Sequence, residues 1–456
     1  MFQLSPVKPP TAAVAPVAPA ATLAASAASA AKAIAAVRAT VAAARSAVAA
    51  ATLTAVAAAG LWALTPAPVA AAEPGEAPST ISAPVPEAPT ATAIPHALEF
   101  NSRAQLVHYP TTRADGSRTT ATATLFEPTA PWAGPGPRPT IVLAPGTRGQ
   151  GDQCAPSRAY LGLASATPGS LNVNYEYQFQ QAAAAFGIRV IVPDYIGLGT
   201  PGHHTYVHAA EQAYALIDAA RAALTLTGAP ADAPIGFAGY SQGGGAAASA
   251  AERVAEYAPE LNIKGTFAGA PPADLSQVMV AVDGSPIAHV LGYAINGFGE
   301  RDPRFLQLIM DNFNERGHEF VRSAANSCIP ESVLNWGGVN SRQLTRTGES
   351  FAELSHRIPE IARVLDEQQL GRRPVSAPIY IAHSPHDDLI PFAQAQQLAG
   401  AYCQQGGTVD FVIENGPGLG WGTGHALPLM TTLPKGLIYL ADRFHNRPAP
   451  SNCING

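Results

Sequence analysis

A chain of 456 residues, 47% of them hydrophobic, is long enough to bury a large core and to hold more than one structural unit. Its formal net charge of −6 argues against a basic surface for nucleic acid. Its four cysteines, Cys154, Cys328, Cys403 and Cys453, form no C-x-x-C pair, which argues against a zinc site or a dithiol redox motif. An even number in an exported chain suggests two disulfides, with three connectivities open.

Residues 1–95 are low-complexity Ala/Pro sequence. The first 72 carry Lys8, Lys32, Arg38 and Arg45 and no acid. Arg38 and Arg45 precede an uncharged stretch at 46–64, and small residues follow, ending Val69-Ala70-Ala71-Ala72. A basic flank, an apolar core and an Ala-x-Ala exit describe a secretory signal peptide over 1–72 with a long basic leader. The stretch at 46–64 is also long enough to span a bilayer. It is mostly alanine, however, and no basic cluster stops transfer, because the next positive residue is Arg103. Residues 73–95 read as an Ala/Pro-rich linker too poor in large apolar side chains to fold. The expected location is secreted or associated with the cell envelope.

From residue 96 the texture changes. Residues 119–126 alternate Thr with Ala and Leu, as a half-buried strand does. Short apolar runs rich in branched residues follow at 140–144, 188–192, 235–239, 263–268 and 378–382, with a further one at 408–413. Such runs suit strands buried on both faces of a parallel sheet. Helix-like segments alternate with them at 175–185, 206–226, 243–258, 392–404 and 426–443. This alternation predicts an α/β fold, a mostly parallel sheet with helices on both faces, built from 96–275 and 376–456. Residues 276–375 hold helical stretches, at 304–315 and 350–370 among others, and no buried strand. They read as an inserted helical cap, a device that excludes water and shapes an apolar pocket.

The most informative motif is Gly239-Tyr240-Ser241-Gln242-Gly243, set between the strand-like run at 235–239 and the Ala-rich helix-like run at 243–258. This is the setting of a nucleophile elbow, a sharp strand-to-helix turn that presents a serine. A serine hydroxyl needs a base within hydrogen-bond reach, itself oriented by a carboxylate. In this fold the acid and then the histidine follow the serine. Asp387, in the loop that follows the strand-like run at 378–382, is the favoured acid, with its neighbour Asp388 as rival. His425, in a Gly-rich loop before the last helix, is the favoured base. His383 and His386 share the acid's loop, His445 lies beyond the last helix, and His203, His204 and His208 precede the serine. The oxyanion hole requires two backbone N–H groups. One belongs to Gln242, and the other to the Gly-rich loop after the strand at 140–144, where Thr147 is favoured and Arg148 and Gln150 are substitutes. A phosphate-binding loop there lacks its lysine.

These residues resemble the secretory lipase family, the fungal lipase A type with actinobacterial relatives. The resemblance runs from about Arg103 to the C-terminus. It rests on Gly-Tyr-Ser-Gln-Gly-Gly at 239–244, Cys-Ala-Pro-Ser at 154–157, Tyr-Ala-Pro-Glu-Leu-Asn-Ile at 257–263, the Asp387-x-x-Ile-Pro loop and the late His425. It implies an α/β-hydrolase with a helical lid before the acid and a triad of Ser241, Asp387 and His425. It also implies the disulfides Cys154–Cys328 and Cys403–Cys453. Where the yeast members place an acidic side chain in the oxyanion loop, this chain has Gly-Thr-Arg-Gly.

The expected function is that of a secreted serine ester hydrolase of the triacylglycerol lipase type, working through an acyl-enzyme on a lipid or ester substrate. No metal, organic cofactor or nucleic acid is expected, and the oligomeric state stays open. A cell-envelope acyltransferase, a serine peptidase of the same fold and a non-catalytic surface protein are the alternatives.

Overall fold

A computed structural model describes residues 85–94, 102–159 and 162–453, all within the compact unit Ile81–Gly456. The expected signal peptide, the alternative anchor at 46–64 and residues 73–84 of the linker lie outside the described residues.

Nine strands form one sheet. They are β1 (Thr90–Ala93), β2 (Ser102–Thr112), β3 (Arg118–Pro128), β4 (Thr140–Ala144), β7 (Arg189–Tyr195), β8 (Ile235–Tyr240), β9 (Ile263–Gly269), β10 (Ile379–His383) and β11 (Val409–Ile413), in the spatial order β1-β2-β3-β7-β4-β8-β9-β10-β11. From β7 to β11 neighbouring strands are parallel, whereas β1, β2 and β3 join antiparallel at one edge. Two further strands, β5 (Ala164–Thr167) and β6 (Ser170–Val173), make a separate hairpin.

The central strands are apolar because helices cover both faces, and successive side chains point to opposite sides. On one face Val142, Ile235 and Phe237 pack against α2 (Ala209–Thr227) and α3 (Gln242–Tyr257). On the other face Ile141, Leu143 and Ala238 pack against α1 (Tyr177–Ala185) and the last helix, α12 (Thr423–Phe444). Full burial of a side chain such as Phe237 contributes about 1.5–3 kcal/mol. Between β10 and β11 runs α11 (Phe392–Gln404).

Seven helices lie between β9 and β10: α4 (Leu275–Val282), α5 (Val290–Arg301), α6 (Pro303–Asn312), α7 (Glu315–Ala324), α8 (Ile329–Trp336), α9 (Phe351–Arg357) and α10 (Pro359–Asp366). They occupy the segment read as a cap and enclose a hydrophobic core of their own, with Phe298, Phe305, Phe313, Phe320 and Phe351 at its centre. Helix α6 starts where Asp302 caps Arg304 N–H and Pro303 takes the first turn. Helix α9 starts on a capping box made by Ser350 and Glu353.

The structure differs from the sequence reading in three places. Part of the expected linker, at 90–93, is an edge strand; an edge strand needs backbone partners rather than buried side chains, and three of these four residues are exposed. The strand β2 and the hairpin β5–β6 were not expected, because their polar sequences carry no apolar run. The helix expected at 304–315 ends at Asn312, with Glu315 already opening the next, and the single helix expected at 350–370 is two, divided at Ile358–Pro359. At the latter break Pro359 biases Ile358 away from helical geometry.

Candidate active site

Strand β8 ends at Tyr240 and α3 begins at Gln242, so Ser241 occupies the turn alone. Its backbone, at φ 58° and ψ −125°, lies in a region that non-glycine residues rarely adopt, at a cost of about 1–3 kcal/mol. The flanking glycines are required by close approach. A Cβ on Gly243 would stand 2.1 Å from the Ala144 carbonyl oxygen, and one on Gly239 would stand 2.2 Å from the Gly243 carbonyl oxygen. Without side chains there, the start of α3 crosses directly over the end of β4. The first N–H groups of α3, Gln242 foremost, have no acceptor within the helix and leave its positive end beside Ser241.

Ser241 Oγ lies 2.9 Å from His425 Nε2, and His425 Nδ1 lies 2.7 Å from Asp387 Oδ2. With Nδ1–H donating to the carboxylate, Nε2 is the bare nitrogen that accepts from the serine. Asp387 is buried at the end of β10. Its Oδ1 accepts from the N–H groups of Leu389 (3.0 Å) and Ile390 (2.8 Å). Burial pushes its carboxyl upward, but the imidazoles of His425 and His383 outweigh burial and hold it well below the usual carboxylate range. The sequence reading passed over His383. It is fully buried, with Nε2 3.0 Å from the Ile390 carbonyl and 3.2 Å from Asp387 Oδ2, the same oxygen that His425 meets.

Asp388 faces elsewhere. It accepts from Gly422 N–H (2.7 Å) and His425 N–H (3.3 Å) and thereby caps the start of α12. Tyr240 donates its hydroxyl to the His425 carbonyl at 2.7 Å. At Gly424 a Cβ would stand 1.8 Å from the His386 carbonyl oxygen, so only glycine lets this loop seat against the acid loop. One aspartate thus meets the imidazole ring and its neighbour holds the backbone that carries it.

The loop after β4 meets the serine from the other side. Gly146 N–H donates to Glu176 Oε1 at 2.7 Å, and Glu176 pairs with Arg148 at 2.6 Å with both side chains buried. Arg148 also donates to Asn174 at 2.8 Å and lies over the Tyr175 ring. Its side chain therefore holds the loop and turns away from the serine. Gln150 N–H is committed to the Ser327 carbonyl at 3.0 Å, which removes it as an oxyanion donor. Of the three residues named from sequence, Thr147 is the one lining the cavity beside Ser241 and Gln242. The loop is also stitched to the cap: Cys154 and Cys328 form a disulfide, and Ile329 N–H donates to the Arg148 carbonyl. Cys403 and Cys453 form a second disulfide near the C-terminus.

Two apolar cavities meet at Ser241 and Thr147. One, with a volume of about 100 Å³, runs into the cap between Leu275, Val290, Phe298, Phe305 and Phe351. The other, of about 450 Å³, opens beside His425 between Ile287, Val333, Trp421 and Met430. No Asp, Glu, Lys or Arg side chain lines either. Among the described residues no cluster of His, Cys, Asp and Glu is placed to hold a metal ion. Likewise no helix among them is long and apolar enough to cross a membrane.

Comparison with known proteins gives a consistent picture. A relative from Mycobacterium tuberculosis, named a probable inactive lipase, is 28% identical over 347 residues, covering 72% of this chain and 74% of its own length. A secreted triacylglycerol lipase of Malassezia globosa is 28% identical over 356 residues, covering 76% of this chain and 72% of its own. The crystal structure of Candida antarctica lipase A superposes with a TM-score of 0.69 at 22% identity, covering 80% of this chain and 83% of that one, and shows the fold to be that of an α/β-hydrolase. The secretory lipase profile matches residues 164–452, more than half of the chain. The chain therefore belongs to the secretory lipase family.

Proposed function

We propose that this chain is an active secreted ester hydrolase of the lipase type, with Ser241 as nucleophile, His425 as general base and acid, and Asp387 as the group that orients the imidazole. The observation carrying this reading is the pair of contacts made by His425, 2.9 Å to Ser241 Oγ and 2.7 Å to Asp387 Oδ2. Ser241 attacks the ester carbonyl while its proton passes to His425 Nε2. The resulting imidazolium is stabilised by Asp387 and returns the proton to the leaving alcohol. The carbonyl oxygen becomes an oxyanion beside the backbone N–H groups of Gln242 and Thr147. Water, deprotonated by His425, then releases the acid from the acyl-enzyme.

The cavities support neutral ester substrates with long apolar groups. Burying an acyl chain against their walls contributes about 25 cal/mol per Å² of apolar surface. A charged head group or a peptide backbone would be desolvated there without partners. The cavity in the cap suits the acyl chain, and the one beside His425 suits the alcohol side. Triacylglycerols fit this division.

The test is hydrolysis of p-nitrophenyl and triacylglycerol esters by the wild type and by Ser241→Ala, with fluorophosphonate labelling in parallel. The wild type is expected to turn over esters and take up the label, and the variant to do neither while keeping its circular dichroism spectrum. Normal turnover by Ser241→Ala, or an unlabelled and inactive wild type, would sink the reading.

A further inference from the structure

The loop after β7 places two buried rings behind the proposed oxyanion donors. His204 Nδ1 faces the Ile196 carbonyl at 3.3 Å, so that nitrogen carries the proton, and Nε2 accepts from Gln242 Nε2 at 3.0 Å. Burial lowers its pKa to about 4, so the ring is neutral and can accept. The Gln242 side chain is thereby pinned behind its own backbone N–H. Two residues on, the Tyr206 hydroxyl lies 2.8 Å from Thr147 Oγ1. Both side chains line the cavity that contains Ser241.

The protons of this second contact can be counted. Two hydroxyls share one hydrogen bond, so one of the two protons is left over. A phenol is a stronger acid than an aliphatic alcohol, and Tyr206 remains so even though burial pushes it up to about 12. Tyr206 is therefore the donor, and the spare proton belongs to Thr147. An unpaired O–H donor in an apolar cavity is unfavourable in the resting protein and becomes an asset when an anion forms next to it.

We propose that the Thr147 hydroxyl is a third oxyanion donor and that Tyr206 is the positioning residue that aims it. Tyr206 is held from behind by the cap. Its ring meets Tyr293 edge-on at 5.6 Å, and a Cβ on Gly297 would stand 2.7 Å from Tyr206 N. Helix α5 of the cap thus lies directly against the loop that aims the donor. The inference rests on the proposed ester hydrolysis and adds to it a side-chain donor that the two backbone N–H groups do not require.

The test compares the wild type with Thr147→Ser, Thr147→Val, Tyr206→Phe and the Thr147→Val/Tyr206→Phe pair on one p-nitrophenyl ester. Urea midpoints are measured alongside. Thr147→Val is expected to lower kcat about 10- to 100-fold with KM changed less than threefold, because the lost bond forms only in the transition state. Thr147→Ser is expected to restore kcat to within about threefold, since it keeps the hydroxyl. Tyr206→Phe should lower kcat about 5- to 20-fold, and the pair should be no worse than Thr147→Val alone, because both changes remove the same donor. Thr147→Val within twofold of the wild type, or effects that multiply in the pair, would overturn the inference and leave the proposed function standing. If a variant unfolds, the Ser and Phe substitutions still decide, since each alters one or a few atoms at the contact. A wild type that neither hydrolyses esters nor takes up fluorophosphonate overturns both.

Discussion

The two neighbouring aspartates give a sharp test of the site. Replacing Asp387 by Asn keeps its shape but turns the edge facing His425 into a donor or a weak acceptor. If the amide NH₂ faces Nδ1, the imidazole must carry its proton on Nε2 and cannot accept from Ser241. The 2.7 Å charge-assisted contact is lost with it. By analogy with other serine hydrolases, kcat is expected to fall by about 10⁴, equivalent to about 5 kcal/mol. Asp388→Asn acts on a different link. Its two oxygens accept from Gly422 N–H and His425 N–H. Asn keeps one acceptor, so one hydrogen bond to a charged group is lost, about 1.5–3 kcal/mol of stability. The ring remains held by Asp387, and the Tyr240 hydroxyl still fixes the His425 carbonyl, so kcat should fall less than tenfold. The assay is ester turnover at pH 8 together with urea unfolding for each variant. Equal losses of kcat in the two variants, or more than 1% activity in Asp387→Asn, would refute this division of labour.

Two further outcomes follow from buried groups and cross-links. Burial lowers the pKa of His204 and of His289 in the cap to about 4, against an unfolded value near 6.5, so the unfolded chain binds more protons between these limits. Each histidine should therefore contribute about 3 kcal/mol of stability that is complete above pH 6.5 and lost as pH falls towards 4. His289→Asn should flatten the fall of the urea midpoint over that window, and an unchanged slope would contradict it. Replacing Cys154 and Cys328 by Ser should cost about 2–4 kcal/mol, because the disulfide closes a long loop in the unfolded chain. It should also lower ester turnover, since the same bond ties the oxyanion loop to the cap. Loss of stability with full activity would separate the two roles.

The central sheet was legible because buried parallel strands are continuous apolar runs between helices. The run at 140–144 coincides with β4, and that at 263–268 falls one residue short of β9. Strand β2 escaped because its sequence is largely polar and includes Pro110; its pairing with β1 and β3 is what marks it as a strand. The chain order of Ser241, Asp387 and His425 needed no structure, because the elbow and the loop after β10 each carry a local signature. The roles of Asp388, His383, Glu176 and Tyr206 could not be read the same way. Those of Asp388, Glu176 and Tyr206 depend on contacts across 28 or more residues, and that of His383 on which way its ring turns within one loop, and neither leaves a pattern in the sequence. Arg148 shows the limit well: nothing in the sequence joins its side chain to Glu176, with which it forms a buried ion pair.

The cavity in the cap has a consequence for how this protein could diverge. Val290, Phe298, Phe305, Ile309, Phe313 and Phe351 line it, and the same six side chains belong to the core that holds the cap helices together. A change that widens the cavity for a bulkier acyl group therefore removes packing from the cap itself. At about 3–5 kcal/mol for a Phe→Ala change, one such step is a large part of a domain's net stability. With that cavity taking the acyl group as proposed, selectivity and cap integrity are set by one group of residues. New chain-length preferences are expected to arise through compensated pairs of substitutions, a second residue refilling the space that the first one opens.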